Sequence, residues 1–445
     1  MQLPKEFIRS IKNVTGFNEK KFIAVHESGE QLVSIRLNPA KLSETSFPLS
    51  EKVPWSTNGY YLSERPSFTL DPSFHAGAYY VQEASSMFLE HAIRKTCDIN
   101  SPIRALDVCA APGGKSTLIQ SVLSSKSVLV SNEIIKQRAG ILEENITKWG
   151  AANVIVTNNN PKDFSGLEGL FDLVVADAPC SGSGLFRKDP EAIEHWSTNY
   201  VNMCSERQQD ILRSVIPCLK ENGILIYSTC SFSQEENENI AEWFVSSGEF
   251  ETIDLAPEKS WNIVETIEPA YGYRFYPDKS KGEGFFLAAF RKISAQPYLS
   301  SKPKRSQFIS DTAFLEPWIS IQDELIFIQH KDSVIALFEN TYSLLQELQG
   351  LYILKAGILV GASIRNQIIP SHALAMSKII NPSIDHIEVD KEKALQYLRK
   401  GEMELRTDLR GWIIIKYQSL NLGFIKGMGN RNNNYYPKEW RIVNK

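Results

Sequence analysis

Between Arg104 and Phe290, short β-rich apolar runs alternate with amphipathic helical stretches. This alternation limits the fold more than any other feature, because it is the pattern of a parallel sheet covered by helices. It predicts strands at Ile103–Val108, Val128–Asn132, Val154–Thr157, Leu173–Asp177 and Ile224–Ser228. The helices it predicts are Lys115–Leu123, Lys136–Trp149, Tyr200–Leu219 and Glu235–Val245. Gly284–Phe290 reads as a last buried strand, antiparallel if it pairs with a hairpin neighbour. In such an open α/β sheet, ligands sit beyond the carboxyl ends of the strands.

With 445 residues the chain is too long for one hydrophobic core, and two to three domains are expected. Residues 1–100, with a helix near Pro4–Lys12 and a strand at Leu32–Asn38, read as a small N-terminal domain packed on the core. The core is placed at 101–293. Residues 294–306, rich in Pro, Ser and Lys, read as a solvated linker. Residues 307–445 carry short β-rich runs at Leu325–Ile328, Ile358–Val360, Trp412–Lys416 and Leu422–Lys426, which suggest one or two small β-rich modules.

A hydrophobic fraction of 42% and a charged fraction of 22% exclude a disordered or collagen-like chain. The N-terminus lacks a signal-peptide core, and no segment approaches the ~20 apolar residues that cross a bilayer. A cytoplasmic, membrane-free protein is expected, a monomer in the simplest reading. Six cysteines without a Cys-x-x-Cys pair fit reduced thiols, and the histidines show no metal spacing, so no metal is expected.

The run Asp107-Val108-Cys109-Ala110-Ala111-Pro112-Gly113-Gly114-Lys115 is a strand that breaks into a Gly/Pro turn and opens a helix. Its glycines permit a ligand to approach the main chain. The loop lacks the spacer of a triphosphate-binding Walker A motif. Glu133 ends the second strand, where a carboxylate accepts hydrogen bonds from a ribose diol or simply starts the next helix. After the third strand, Asn158, Asn159, Asn160 and Asp163 are placed to meet an adenine edge.

Two further strands end in cysteine motifs, Asp177-Ala178-Pro179-Cys180-Ser181-Gly182 and Ser228-Thr229-Cys230-Ser231. Two sulfurs at neighbouring strand ends suggest one shared site; burial as structural thiols is the bland alternative. Together with the Pro-Gly-Gly loop, these motifs resemble the signature of the S-adenosylmethionine-dependent RNA (cytosine-5)-methyltransferases of the Sun/Fmu group. The resemblance covers roughly residues 30–290. A methyltransferase core followed by β-rich C-terminal modules is similar to the RsmF-type enzymes, which act on small-subunit (16S) ribosomal RNA. The fold class implied is α/β, a Rossmann-like methyltransferase sheet with a small N-terminal domain and PUA-like C-terminal modules.

The resemblance implies S-adenosylmethionine held by Cys109, Ala110, Ala111, Pro112, Gly113, Gly114, Lys115, Glu133 and Asp177. Asn160 stands where the family usually has an acid for the adenosine. Carbon 5 of cytosine is too weak a nucleophile to attack a methyl sulfonium until a thiolate adds to carbon 6. The resemblance assigns that attack to Cys230 and product release to Cys180. In cytosine-5 DNA methyltransferases the Pro-Cys cysteine attacks, so Cys180 is the rival. Asp177 is a candidate to hold the Watson–Crick edge of the base and a protonated N3.

The net charge of −4 requires any RNA contact to use local patches. One is Arg291, Lys292, Lys302, Lys304 and Arg305; the other is Lys426, Arg431, Lys438, Arg441 and Lys445, interleaved with Tyr435, Tyr436 and Trp440. Arg187 after the first cysteine loop is a candidate for a phosphate, and Arg36 and Asn38, in a stretch common in the family, for RNA. Ribosomal RNA is the expected partner. The alternatives are a transfer-RNA methyltransferase and an inert, RNA-binding assembly factor.

Overall fold

The computed structural model describes residues 3–41, 48–298, 308–320, 325–365, 367–403, 405 and 408–443. Its centre is a ten-stranded sheet. The strands Arg104–Asp107, Val128–Asn132, Val154–Thr157, Phe171–Asp177 and Leu219–Thr229 pair in parallel, in the spatial order third, second, first, fourth, fifth. All five residues of Val128–Asn132 and all four of Val154–Thr157 are buried, as expected when helices cover both faces of a parallel sheet. The order reverses between the first and fourth strands, which opens a crevice beyond Asp107 and Asp177. Phe285–Lys292 joins the far side antiparallel to Leu219–Thr229, and Gly272–Phe275 follows as its hairpin neighbour.

The helices that carry the site begin and end where the sequence permits. Gly113, at φ +115°, caps the start of Gly114–Val122, and Gly150, at φ +87°, ends Lys136–Trp149 in the left-handed region that glycine tolerates. The buried face of that second helix is Ala139, Leu142, Ile146 and Trp149, the spacing of a 3.6-residue period.

The N-terminal region forms two helices, Lys5–Ile11 and Glu19–Glu27, and a four-stranded sheet around Val33–Leu37. Phe7 and Phe22 pack against Phe186, Trp196 and Phe232, so the two helices cover the segments that follow both cysteine motifs. The C-terminal part contains two four-stranded sheets, 325–370 and 386–434. Among the described residues, no helix is long and apolar enough to cross a membrane.

Three expectations change. Arg36 is 2% exposed and Asn38 is 0% exposed, so neither presents its side chain to an RNA surface. Arg36 donates to Gln82, to the Gly114 carbonyl and to Thr117, and its guanidinium stacks 4.6 Å from Trp149. Asn38 donates to the carbonyls of Gly77 and Trp149, and Lys41 donates to those of Ala76 and Lys148. The last carbonyls of a helix have no partner within it, and here the N-terminal domain supplies them. The segment Arg36–Lys41 therefore grips the start of one cofactor-side helix and the end of the next.

Second, the boundary near 307 is not a clean break. Ile353–Ala356 leaves the C-terminal part and pairs antiparallel with Val154–Thr157, while Leu344 and Leu348 join the core beneath Leu106 and Val128. An apolar edge strand left bare templates aggregation, and this added strand covers it. Third, Ser294–Tyr298 is not a free linker: Gln296 accepts from Lys292 and donates to Glu168. Lys302, Lys304, Arg305 and Lys445 lie outside the described residues.

Asn38→Ala would strand two buried carbonyls and the Ala40 N–H that the Asn38 side chain satisfies. A loss of about 3 kcal/mol in urea denaturation is expected, with unchanged RNA affinity for the folded variant. Unchanged stability with weakened RNA binding would restore the RNA-contact reading.

Candidate active site

At the crevice beyond the strand ends lies a cavity of about 640 Å³. Of the residues expected to hold a cofactor, Cys109, Ala111, Glu133, Asn160 and Asp177 line it. Ala110, Pro112, Gly113, Gly114 and Lys115 form the turn and helix start behind them. Glu133 accepts from the Ile135 N–H and lies 3.6 Å from Arg138, so it serves as helix-start residue and cavity wall at once. Ile134 and Ile135, apolar yet half exposed, form the rim beside it. An acid for a diol, an apolar ledge for a base and a glycine turn fit an adenosyl group. Gly114 also meets the N-terminal domain closely: a Cβ there would lie 3.1 Å from the Tyr80 ring.

The asparagine run is more structural than expected. Asn158 donates to the carbonyls of Glu133 and Ile134, and Asn159 exchanges hydrogen bonds with Tyr352 of the added strand segment. Asn160 and Asp163 form a reciprocal capping box around Pro161–Phe164, which leaves Asn160 exposed at the cavity. Asp163 is occupied by that cap.

Cys180 and Cys230 both line the cavity, and their sulfurs lie 3.0 Å apart without a bond. Their loops leave adjacent parallel strands and are stitched by Ala178 N–H to Ser228 O at 2.9 Å and Gly184 N–H to Cys230 O at 2.8 Å. Asp177 receives the Lys115 ammonium at 2.8 Å on one oxygen and the Ser228 hydroxyl at 2.8 Å on the other. Burial alone would lower the Lys115 pKa, but Asp177, with smaller help from Cys230 and Asp107, raises it. Lys115 is thus a fixed cation at the start of the helix that follows the glycine turn, paired with Asp177.

Burial and neighbouring groups act strongly on Cys180. Cys180 is raised well above the ordinary thiol range by its hydrogen bond to Cys230, by burial, and by the charges of Cys230 and Glu236. Glu236 is fully buried and accepts hydrogen bonds from Ser181 and Ser231, the residues that follow the two cysteines. Asp107, also fully buried, accepts from Ser116 at 2.6 Å and is pushed up to about 7 by burial.

Arg187 does not reach a phosphate. Its side chain is 5% exposed, it donates to the Glu30 carbonyl, and it lies 3.8 Å from Glu283, fastening the N-terminal domain to the first cysteine loop. Two exposed arginines line the cavity, Arg138 beside Glu133 and Arg207 on the helix Thr198–Val215, and Arg207 is the one without a carboxylate at hand among the described residues. The residues missed from sequence are Asp107, Ile134, Arg207 and Glu236. Ile134, next to Glu133 at a strand end, and Asp107, which opens the glycine-turn run, carried a positional signal. Far from the cavity, Lys426 lies over the Trp412 ring at 5.1 Å, Tyr435 packs 4.5 Å from the same ring, and Arg431 is exposed on the following turn. Tyr436, expected in this patch, is buried.

Asp107 is held protonated in the folded state up to about pH 7 but ionises near 4 when unfolded. Its raised acid pKa therefore removes stability as pH climbs through that window. Asp107→Asn, which still accepts from Ser116, is expected to melt higher than the parent at pH 8 and to lose most of that advantage at pH 5. An equal difference at both pH values would contradict this.

Four family models tile the chain. The model described as 16S rRNA methyltransferase RsmB/F matches residues 98–291, and the N-terminal domain of 16S rRNA methyltransferase RsmF matches 3–84. The RsmF rRNA methyltransferase first C-terminal domain matches 307–377 and the methyltransferase RsmF PUA domain 385–442. Ribosomal RNA small subunit methyltransferase F of Aliivibrio salmonicida is 30% identical over 435 residues, covering 91% of this chain and 90% of that protein. The protein of the same name from Vibrio parahaemolyticus is 29% identical, covering 98% and 97%. A methyltransferase homologue from Pyrococcus horikoshii has a solved structure that matches with a TM-score of 0.52 and 27% identity, covering 65% of this chain and all (100%) of that one. A chain whose N-terminal, catalytic and both C-terminal segments match in this order belongs to the RsmF family of 16S rRNA methyltransferases.

Proposed function

We propose that the protein transfers a methyl group from S-adenosylmethionine to carbon 5 of a cytidine in small-subunit ribosomal RNA, through a covalent bond between Cys230 and carbon 6 of the base. The observation that carries this reading is the pair of sulfurs 3.0 Å apart at the wall of the cavity, with a cation beside one and a carboxylate beside the other.

S-adenosylmethionine supplies an electrophilic methyl group; the residues around Glu133, Ile134 and the Pro112–Lys115 turn bind it. Cys230 adds to carbon 6 as a thiolate, and the Lys115 ammonium, tied to Asp177, is the cation whose charge couples to that sulfur. The displaced electron pair enters the ring, and carbon 5 becomes a nucleophile. Asp177, fixed by Lys115 and Ser228, holds the Watson–Crick edge with a proton on N3, so that the displaced electron pair neutralises the ring instead of leaving it negative. Once carbon 5 carries the methyl group, its proton must leave before the carbon–sulfur bond to Cys230 breaks and aromaticity returns. Cys180 is the base for that proton: its hydrogen bond to Cys230 and the charge there, which hold its own proton, end when Cys230 bonds the ring, so Cys180 releases that proton to water and accepts the one from carbon 5. The target base leaves its stack to reach this pocket.

Delivery falls to the C-terminal modules at 307–445. Lys426 over Trp412, with Tyr435 and Arg431 beside it, offers cation and aromatic surface for RNA. Arg207 at the cavity mouth takes the phosphate role that Arg187 cannot fill.

With labelled methyl donor and 16S RNA from a strain lacking the gene, the parent should place label on cytosine carbon 5. Cys230→Ala should lose turnover by at least 10³-fold with no RNA-linked protein on a denaturing gel. Cys180→Ala should also lose turnover but accumulate the linked species. Reversed behaviour of the two variants would exchange their roles, and label on an exocyclic nitrogen would remove the reading.

A further inference from the structure

Glu236 sits at the end of the short turn Gln234–Glu236 and is 0% exposed. One of its oxygens accepts from the Ser181 N–H at 2.7 Å and from the Gln208 side chain at 3.2 Å. The other accepts from the Ser181 hydroxyl at 2.6 Å and the Ser231 hydroxyl at 2.5 Å. Ser181 follows Cys180 and Ser231 follows Cys230, so one carboxylate oxygen ties the two cysteine loops at the residue next to each sulfur. The two hydroxyls also lie 3.2 Å from each other.

A buried carboxylate is costly unless its lone pairs are filled, and four donors fill them here. A neutral amide in the same place would turn its NH2 toward hydroxyls that need an acceptor. The charge therefore has a structural use, and it also falls unevenly on the sulfurs. Two thiolates in contact would repel strongly, so the pair carries at most one negative charge near neutral pH. The Lys115 ammonium couples to Cys230, while its partner Asp177 ends the strand that leads to Cys180. Glu236 acts on Cys180, and the remaining ionisable neighbours are Cys204, Tyr200 and Arg207 from the helix Thr198–Val215, and Tyr227 from the fifth parallel strand.

We propose that Glu236 is a positioning residue for the cysteine pair: it clasps both loops so that the sulfurs stay in contact, and it sets its negative charge on the Cys180 side, which leaves Cys230 as the attacking sulfur. This rests on the reading of Cys230 as nucleophile, and it adds the group that selects Cys230 over its neighbour.

The test uses the full chain without RNA or methyl donor, so its failure is distinguishable from a failure of methyl transfer. Iodoacetamide labelling at pH 7.5, resolved by peptide mass spectrometry, gives the ratio of Cys230 to Cys180 alkylation. In the parent the ratio should exceed tenfold. Glu236→Gln should bring it below about threefold, with labelling of Cys97 unchanged and buried Cys218 still protected as the control for folding, and Glu236→Asp should retain the Cys230 preference. If Glu236→Gln does not fold, Ser181→Ala, Ser231→Ala and their combination replace it; acting through one carboxylate oxygen, they should shift the ratio non-additively. A parent that labels Cys180 as fast as Cys230, a Glu236→Gln ratio equal to the parent's, or strictly additive serine effects would overturn the proposal.

Discussion

The contact between Cys180 and Cys230 is the constraint on which the rest of the structure depends. Two sulfurs reach 3.0 Å only because their loops leave adjacent parallel strands in register, Asp177 opposite Ser228. That register is held by the apolar faces of both strands, buried against helices on either side. The reversal of strand order next to them opens the crevice in which a cofactor and a base can meet. Chemistry and topology are therefore one arrangement: a slip of one residue along Leu219–Thr229 would turn every side chain to the opposite face and part the sulfurs.

Around this pair the protein places ions asymmetrically. Lys115 extends from the glycine turn to Asp177, linking the turn proposed for the methyl donor to the carboxylate proposed to hold the base. Glu236 closes the other side. The N-terminal domain supports the arrangement from behind. Arg36 holds the helix that starts with Gly114, Asn38 and Lys41 hold the end of Lys136–Trp149, and Arg187 ties the domain to the first cysteine loop. Buried cations without carboxylate contact are expensive: burial lowers Arg36 to about 9 and Lys41 to about 7. Lys41 offsets this by meeting the carbonyls of Ala76 and Lys148, the latter in the last turn of its helix, and Arg36 by meeting Gln82, Thr117, the Gly114 carbonyl and the Trp149 ring.

The core was legible because its signals are local. Val128–Asn132, Lys136–Trp149 and Val154–Thr157 are bounded in the structure where periodicity and glycine placed them. The Pro-Gly-Gly turn and the two cysteine motifs were legible for the same reason. What escaped depends on partners far away in sequence. A basic residue such as Arg36 or Arg187 looks the same in sequence whether it meets phosphate or a buried carbonyl, and the structure buries both. Ile353–Ala356 looks like any short strand, and only the bare edge of Val154–Thr157 makes it part of the catalytic sheet. Glu236 sits in an acidic run that reads as a solvated helix start. Its role appears only when Ser181, 55 residues away, folds against it.

The most direct measurement of the central claim is the identity of the residue that bonds to the base. An RNA substrate carrying 5-fluorocytidine at the target position cannot lose a proton from carbon 5 after methyl transfer, so the covalent species accumulates and can be digested and sequenced by mass spectrometry. The account predicts a methylated, fluorinated nucleotide attached to Cys230. Attachment to Cys180, or the absence of any protein–RNA bond while unmodified RNA is methylated, would contradict it.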